Sequence, residues 1–375
     1  MAKNIPHIPY TEIQERIISI GRLDNSVKEK ARASIQDKYA REIPSKFDWE
    51  FLITSSSLTT IQEYKTGAVT INTGDTTAVF SSDAVMDTSM TGRRIRISNN
   101  PVIYDITFLN TTAHTISPAF QGPTNISGGA YSIFQNKYAL AGDFDRFPKT
   151  VDDERRGGGL YKWEGTRKVG IPSFSYIEAT EEFEGNVSIP KRCRLVGHDT
   201  AGKPLVELIP PPKDPRIYGY DYIRQLNPLT ETSAGTVTIA AGGNTVTGDT
   251  NCRFLEANTG DYFRINSFGT GQDSSWYRVI SIAHNSSLTL GVTFANSGVT
   301  SAEYVISRAP DYPPRLQPAL VYGPLHEVTL DQNDESTTVY YAKYAETLSD
   351  GKRIHVSRVY AKDITGLHEE YQWRR

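Results

Sequence analysis

An internal repeat is the feature of this 375-residue chain that most constrains its fold. The segment Gly67–Ile71 reads GAVTI and matches Gly235–Ile239, which reads GTVTI. Gly92–Ile97 (GRRIRI) matches Gly260–Ile265 (GDYFRI) at the same offset of 168 positions. A repeat that keeps its spacing over such a distance predicts one folding unit used twice.

The order of features continues beyond these two matches after a small insertion in the second copy. The further pairs are Ile103–Ile106 with Trp276–Val279, Phe120 with Phe294, and Tyr131–Ile133 with Tyr304–Ile306. Apolar and polar positions alternate between turn signals in both copies, residues 65–137 and 234–309. The pattern predicts two small all-β modules, each a compact sandwich or small barrel of about six or seven short strands.

Two helices are predicted at the start of the chain. Thr11–Gln14 has the pattern of a capping box, and Ile13, Ile17 and Ile20 form an apolar stripe that stops at Gly21. Ser26–Glu29 repeats the capping-box pattern. The second stripe then runs through Val27, Ala31, Ile35 and Tyr39 and ends at Ile43-Pro44. Phe47–Leu52 alternates aromatic and acidic residues, which predicts a half-buried strand.

The rest of the chain predicts a β-rich middle and a helical end. Leu205–Ile209 and Tyr218–Tyr222 are predicted strands, separated by the prolines at 210–212. Pro313–Leu325 predicts a helix broken near Pro324. A second amphipathic helix opens at 334–336, carries Val339, Ala342, Ala345 and Leu348 at three-residue spacing, and ends at Gly351.

These elements together predict an α+β fold with a discontinuous host domain. Residues 1–64, 138–233 and 310–375 form the host, with helices at both ends of the chain and a β-rich middle. The β modules at 65–137 and 234–309 are inserted at two of its loops. Insertion at a loop is tolerated because closing a longer loop costs only logarithmically more entropy.

Charge and motif content argue against several function classes. The 40 Lys and Arg residues against 43 Asp and Glu residues give a net charge of -3, unlike the strongly positive charge of a general nucleic-acid binder. No apolar run is long enough to cross a bilayer and the first residues carry no signal segment, so we expect neither membrane association nor export. We expect Cys193 and Cys252 to be free thiols, and the seven scattered histidines to hold no metal. Without a catalytic or cofactor motif, we expect no enzyme and no cofactor.

The composition of the last residues of the chain predicts an interface with another protein. The segment from Tyr360 to Arg375 is rich in aromatic and basic residues, which are enriched at protein interfaces, whereas free tails are usually polar. A tail packed on its own domain remains the alternative. The interface candidates are Tyr360, Leu367, Tyr371, Trp373, Arg374 and Arg375.

The order of the host segments resembles the head-to-tail adaptor (connector) proteins of short-tailed bacteriophages. The resemblance rests on the two N-terminal helices leading into Phe47–Leu52, Gly142–Arg146, Leu205–Tyr222, and the helical segment from Pro313. The repeats are similar to Ig-like decorations of phage virion proteins, although this chain carries two of them.

The resemblance implies a structural protein of the virion. About a dozen copies would form a ring beneath the portal, extend the DNA channel and dock the tail nozzle and fibres. Genomic DNA would pass through without sequence-specific binding. The candidates Tyr360 to Arg375 would contact the portal, with assembly in the host cytoplasm. The alternative is a tail-fibre or baseplate protein that binds host surface glycans through its β modules, and a bacterial adhesin or an uncharacterised hydrolase is a more distant possibility.

Overall fold

A computed structural model describes residues 7–98, 100–148, 157–164, 167–173, 187–266, 275–330 and 335–353. Strands make up 37% and helices 23% of the structure, and helices lie towards both ends of the chain. The mixed, β-rich composition with terminal helices is therefore confirmed. None of the described helices has the length and apolar character needed to cross a membrane.

Two compact units divide the chain. The helical unit combines Met1–Phe51 with Leu226–Arg375, and the large-sheet unit is Leu52–Gln225. Each unit contains one copy of the repeat. The first copy lies in the large-sheet unit and the second copy in the helical unit.

The helical unit begins with α1 (Tyr10–Gly21), which ends at Gly21 as predicted. Next come α2 (Lys28–Asp37), a π-helical turn (Lys38–Glu42) and α3 (Ile43–Lys46). Three members of the predicted second stripe, Ala31, Ile35 and Tyr39, are fully buried, whereas Val27 is half-buried in a 3-10 turn before α2. In the first stripe Ile13 and Ile17 are buried but Ile20 is 42% exposed.

Neither predicted capping box forms. The N-caps of α1 and α2 are Pro9 and Val27, and neither has a side-chain capping bond. Thr11 Oγ1 and Gln14 Nε2 instead donate to a Glu231 carboxylate oxygen at 2.8 and 3.0 Å. A charged acceptor supplied by the tertiary structure makes a stronger hydrogen bond than a neutral cap, so the local motif is outcompeted.

The strand predicted at Phe47–Leu52 is wrong. Glu50–Leu52 is a 3-10 turn and the first strand starts at Ile53. Trp49 is 2% exposed, and its indole Nε1 donates to the Ile43 carbonyl at 2.8 Å. The aromatic residues therefore pack against the helices through a turn instead of lining one face of a strand.

Two helices close the helical unit: α4 (Ala319–Leu330) and α5 (337–353). Pro324 lies inside α4 and does not break it. Burial on several sides of α4 overrides the local cost of proline. Gly351 lies inside α5 and does not end it. A Cβ at this position would lie 2.4 Å from Leu316 Cδ2. The glycine serves close packing.

The large sheet has eight strands in the order β1-β15-β11-β12-β13-β14-β9, with β10 also paired to β15. The strands are β1 (Ile53–Thr59), β9 (Lys137–Ala139), β10 (Phe144–Arg146), β11 (Gly157–Glu164), β12 (Arg167–Ser173), β13 (Arg192–His198), β14 (Pro204–Ile209) and β15 (Ile217–Arg224). As predicted, Tyr218, Tyr220 and Tyr222 lie buried on one face of a strand, and the strand that contains Leu205 ends at Ile209, before the prolines.

The first small sheet wraps around one apolar core in the order β7-β2-β3-β6-β5-β4-β8. Its strands are β2 (Val69–Ile71), β3 (Thr77–Phe80), β4 (Arg94–Ile97), β5 (Ile103–Asn110), β6 (Ala113–Ser117), β7 (Ile126–Gly129) and β8 (Tyr131–Phe134).

The second small sheet has the order β16-β23-β19-β20-β21-β18-β17-β22. Its strands are β16 (Glu231–Thr232), β17 (Val237–Ile239), β18 (Thr245–Gly248), β19 (Tyr262–Ile265), β20 (Tyr277–His284), β21 (Ser287–Leu290), β22 (Val299–Ala302) and β23 (Tyr304–Ser307). Apart from β16, every strand has a counterpart at the same place in the first small sheet.

The likeness of the two small sheets extends to single hydrogen bonds. The Tyr104 hydroxyl accepts from the Gln121 backbone N–H at 3.0 Å, and the matching Tyr277 hydroxyl accepts from the Ala295 N–H at 3.2 Å. The Gly92 and Gly260 N–H groups likewise donate to matching carbonyls, at 2.9 and 2.8 Å. The sequence repeat is therefore a repeat of strand order and of hydrogen bonding.

Candidate functional site

The residues predicted to bind a partner, Tyr360, Leu367, Tyr371, Trp373, Arg374 and Arg375, lie outside the described residues. The nearest described element is α5, whose last described residue is 353. Its surface is therefore the part of the structure that bears most directly on the predicted interface.

Helix α5 exposes an apolar face. Val339 is 52% and Tyr341 55% exposed, and Ala342 and Ala345 are exposed beside them. We call these four residues the α5 outer face. The sequence pattern placed Val339, Ala342 and Ala345 in one stripe with Leu348, yet only Leu348 is buried. The three-residue spacing therefore does not mark one buried face of α5.

Tyr344 anchors the opposite side of α5. Its side chain is 3% exposed, and its hydroxyl donates to Glu42 Oε1 at 2.8 Å. The ammonium groups of Lys38 and Lys46 lie 5.4 and 5.0 Å from the centre of its ring. Gly323 of α4 makes room for that ring, because a Cβ there would lie 3.0 Å from it. The burial of Tyr344 fixes the side of α5 that faces outwards.

A network of charged side chains, of which Lys38 is buried, lies beside Tyr344. Lys38 is 6% exposed, and its ammonium contacts Glu42 and lies 2.5 Å from Glu327. Burial alone would lower the pKa of Lys38, but hydrogen bonds to Glu327 and Glu42 outweigh it, so the pKa is raised. The ion pairs therefore keep a buried lysine charged.

Glu42 is the acceptor that joins three elements of this network. Its carboxylate contacts the ammonium groups of Lys38 and Lys46, the latter at 2.7 Å, and accepts a hydrogen bond from the Tyr344 hydroxyl. Burial would raise the pKa of this carboxyl, but the hydrogen bonds from Lys38, Lys46 and Tyr344 outweigh that effect and lower the pKa to about 2. Lys38, Glu42 and Lys46 belong to the continuous α2–α3 segment, so the network ties α5 to that segment.

The described part of the chain contains no group of three or more His, Cys, Asp and Glu side chains arranged to hold a metal ion. Both cysteines are buried and neither is in a disulfide, and burial raises the pKa of the Cys193 thiol to about 11. A protonated, buried thiol is a poor nucleophile.

In the described parts of the two small sheets, the large apolar side chains that are exposed are all aliphatic. These residues are Val79, Val85, Leu109, Leu255, Ile280 and Val292. Carbohydrate-binding surfaces commonly present aromatic rings, whose apolar faces accept the C–H groups of sugars. The described residues of the two small sheets offer no such exposed ring.

Neither a protein-family model nor a curated protein matches this sequence. Among solved structures, the chain has a weak likeness to the phage phi92 endosialidase, with 13% identity and a TM-score of 0.19 over 67% of this chain. A second likeness is to the translation elongation factor SelB from Methanococcus maripaludis in its apo form, with 12% identity and a TM-score of 0.15 over 69% of this chain. The matches cover 30% of the first protein and 63% of the second. Likenesses this weak carry no argument about fold or function.

Proposed function

We propose that the chain is a structural virion protein, a head-to-tail adaptor that forms a ring of about twelve copies beneath a portal. The ring would extend the DNA channel and dock the tail nozzle and fibres. The observation that carries the proposal is the α5 outer face, an exposed apolar surface on which only the Tyr341 ring has a ring contact among the described residues, with His326 at 5.1 Å; α5 leads into the aromatic and basic segment from Tyr360 to Arg375.

The occupant of the α5 outer face is the portal protein in this proposal. The outer face and the candidates from Tyr360 onwards follow each other along one stretch of chain, which makes them two parts of one docking surface. A protein that docks on a preformed ring gains from many simultaneous contacts, so each contact can be small. A modest apolar face of four residues suits that mode of binding.

The two small sheets are inserted Ig-like modules in this proposal, carried by a host of residues 1–64, 138–233 and 310–375. Insertion at a loop needs the entry and exit of the inserted segment to lie side by side. Tyr64 and Ile133 form a β-bridge at the ends of the first small sheet, and Thr232 pairs with Ile306 at the ends of the second. Both copies meet this requirement.

The test mixes the purified full chain with the portal protein from the same genome and images the mixture by electron microscopy. Wild type is expected to form rings stacked on portal rings and to be mostly monomeric alone. Val339→Glu with Tyr341→Glu is expected to abolish stacking, because it places two charges in the apolar contact. Val85→Glu, at a residue that is 72% exposed on the first small sheet, is the matched control and should stack normally.

Truncation after Asp363 tests the second part of the docking surface. It should abolish portal binding and leave the melting temperature of the isolated protein nearly unchanged. A drop of about ten degrees would mean that the tail packs on its own host. The proposal would be overturned if the chain alone formed a stable ring at micromolar concentration, or if the wild-type chain did not bind the portal.

A further inference from the structure

A charged cleft of about 370 Å³ lies between the first small sheet and the large sheet. Its charged lining residues are Arg94 on β4, Lys137 on β9, Arg194 on β13 and Glu207 on β14. The segment from Leu195 to Gly197 completes the wall. Three cations therefore face one carboxylate in a concave site, a geometry that concentrates positive potential.

The carboxylate of Glu207 is fully used within the protein. Glu207 is 2% exposed, and its Oε1 accepts from Asn136 Nδ2 at 2.6 Å. Its Oε2 accepts from Arg194 Nε at 2.6 Å and lies 2.5 Å from Arg194 Nη2. The two contacts hold the Arg194 guanidinium in a fixed orientation at the cleft.

The charges of Arg94 and Lys137 are neutralised less completely than the charge of Arg194. Arg94 Nη1 lies 3.7 Å from Glu207 Oε1, and its Nε lies 3.4 Å from Asp105, whose side chain is 68% exposed. Both distances exceed those of strong charge-assisted hydrogen bonds, about 2.7–2.9 Å. Lys137 faces Glu207 across the β9–β14 ladder but forms no ion pair with a carboxylate of the described residues. The cleft keeps an excess of positive charge.

The internal repeat shows that the fold of a small sheet does not require an arginine at position 94. The matching residue of the second small sheet is Tyr262, which is 7% exposed and packs with Trp276 and Val305. The next position along the strand is apolar and buried in both copies, Ile95 in one and Phe263 in the other. Arg94 is therefore specific to the surroundings of the cleft.

We propose that this cleft binds a phosphate group. An arginine fork and a lysine ammonium are the donors that proteins commonly use for phosphate oxygens, and the cavity is of the size that holds a small ligand. The group could belong to a free phosphate compound or to a DNA backbone. Binding at this cleft does not require the chain to be an adaptor.

Isothermal titration of the full chain with sodium phosphate at low ionic strength tests the site. Wild type is expected to show saturable binding. Lys137→Gln and Arg94→Gln are each expected to weaken it by about tenfold, because each removes a charge-assisted contact. Lys203→Gln removes the same charge at an exposed position outside the cleft and is expected to leave the affinity unchanged.

A second titration with a short DNA duplex identifies the source of the phosphate. Binding of duplex that the same two substitutions weaken assigns the site to a nucleic-acid backbone, and binding of free phosphate alone assigns it to a small ligand. Lys137 has no ion pair with the described residues to lose, so Lys137→Gln keeps the test valid even if Arg94→Gln fails to fold. The proposal would be overturned if neither phosphate nor duplex DNA bound saturably, or if wild type and both cleft variants bound with equal affinity.

Discussion

His114 and Leu288 occupy the same position in the two small sheets. His114 pairs with Ala78 between β3 and β6, and Leu288 pairs with Val246 between β18 and β21. Both side chains are fully buried. The same place in the same architecture thus holds a titratable ring in one copy and a hydrocarbon in the other.

Acid should destabilise the first small sheet through His114. Burial lowers the pKa of this histidine below its ordinary value of 6.5, although its bond to the Ala113 carbonyl and the charge of Asp87 oppose the shift. Below pH 6.5 the unfolded chain therefore binds a proton that the folded sheet does not. The free energy of unfolding then decreases as the pH is lowered. Hydrogen exchange of the β3 and β6 amides should be faster at pH 5.5 than at pH 7.5, after correction for the intrinsic rate.

His114→Leu should remove this pH dependence. Among the described residues, His114 Nε2 has no hydrogen-bond partner, so the substitution should also raise the free energy of unfolding by about 1 kcal/mol at pH 7. Leu288→His is the reciprocal variant and should introduce acid sensitivity into the second small sheet. Identical pH profiles for wild type and His114→Leu would contradict the assignment.

Thr11 should act through Glu231 and not as a helix cap. In a double-mutant cycle, Thr11→Val and Glu231→Gln should show a coupling energy of about 1 kcal/mol in urea unfolding, because they share one hydrogen bond. Glu12 and Arg16 form an exposed ion pair at 2.7 Å on the same helix and should couple by less than about 0.5 kcal/mol. Additive effects of the Thr11 and Glu231 substitutions would favour the capping box.

Glu42 should make the helical unit sensitive to strong acid. Its pKa is lowered to about 2 from an ordinary value of 4.5, so its contribution is complete above pH 4.5 and is lost as the pH falls towards 2. Glu42→Gln should lower the melting temperature at pH 7 and flatten its pH dependence between 4.5 and 2. Glu346→Gln, at an exposed carboxylate on α5, should leave both unchanged; a profile of Glu42→Gln that keeps the wild-type slope would contradict this role.

Gly235 should tolerate alanine much less well than Gly242. Both glycines have positive φ angles, 83° and 68°, so both substitutions incur a backbone cost of about 1 kcal/mol. A Cβ at Gly235 would also lie 2.8 Å from the Cys252 backbone nitrogen, whereas a Cβ at Gly242 meets open space. Urea unfolding should show a loss for Gly235→Ala at least about 1 kcal/mol larger than for Gly242→Ala. Equal losses would mean that the backbone relaxes around the new methyl group.

Periodic patterns in the sequence determined much of the fold. The apolar spacing of Ala31, Ile35 and Tyr39 fixed the buried face of a helix, and the matched glycines at 67 and 235 identified two copies of one strand order. These signals succeed because burial is decided by many residues that repeat the same preference. The residues from Tyr360 to Arg375 were chosen from composition, and they stay a prediction.

Only the tertiary structure decided which local motif prevails and which apolar stripe stays exposed. Thr11 has the sequence of a cap, but its partner is 220 positions away, because folding brings the Glu231 carboxylate within reach. On α5, the burial of Tyr344 against Lys38 and Glu42 turns Val339 and Ala342 outwards. The cleft of Arg94, Lys137, Arg194 and Glu207 draws on four strands of two sheets. Short-range patterns cannot specify such choices, since each depends on a partner that only the folded chain brings into contact.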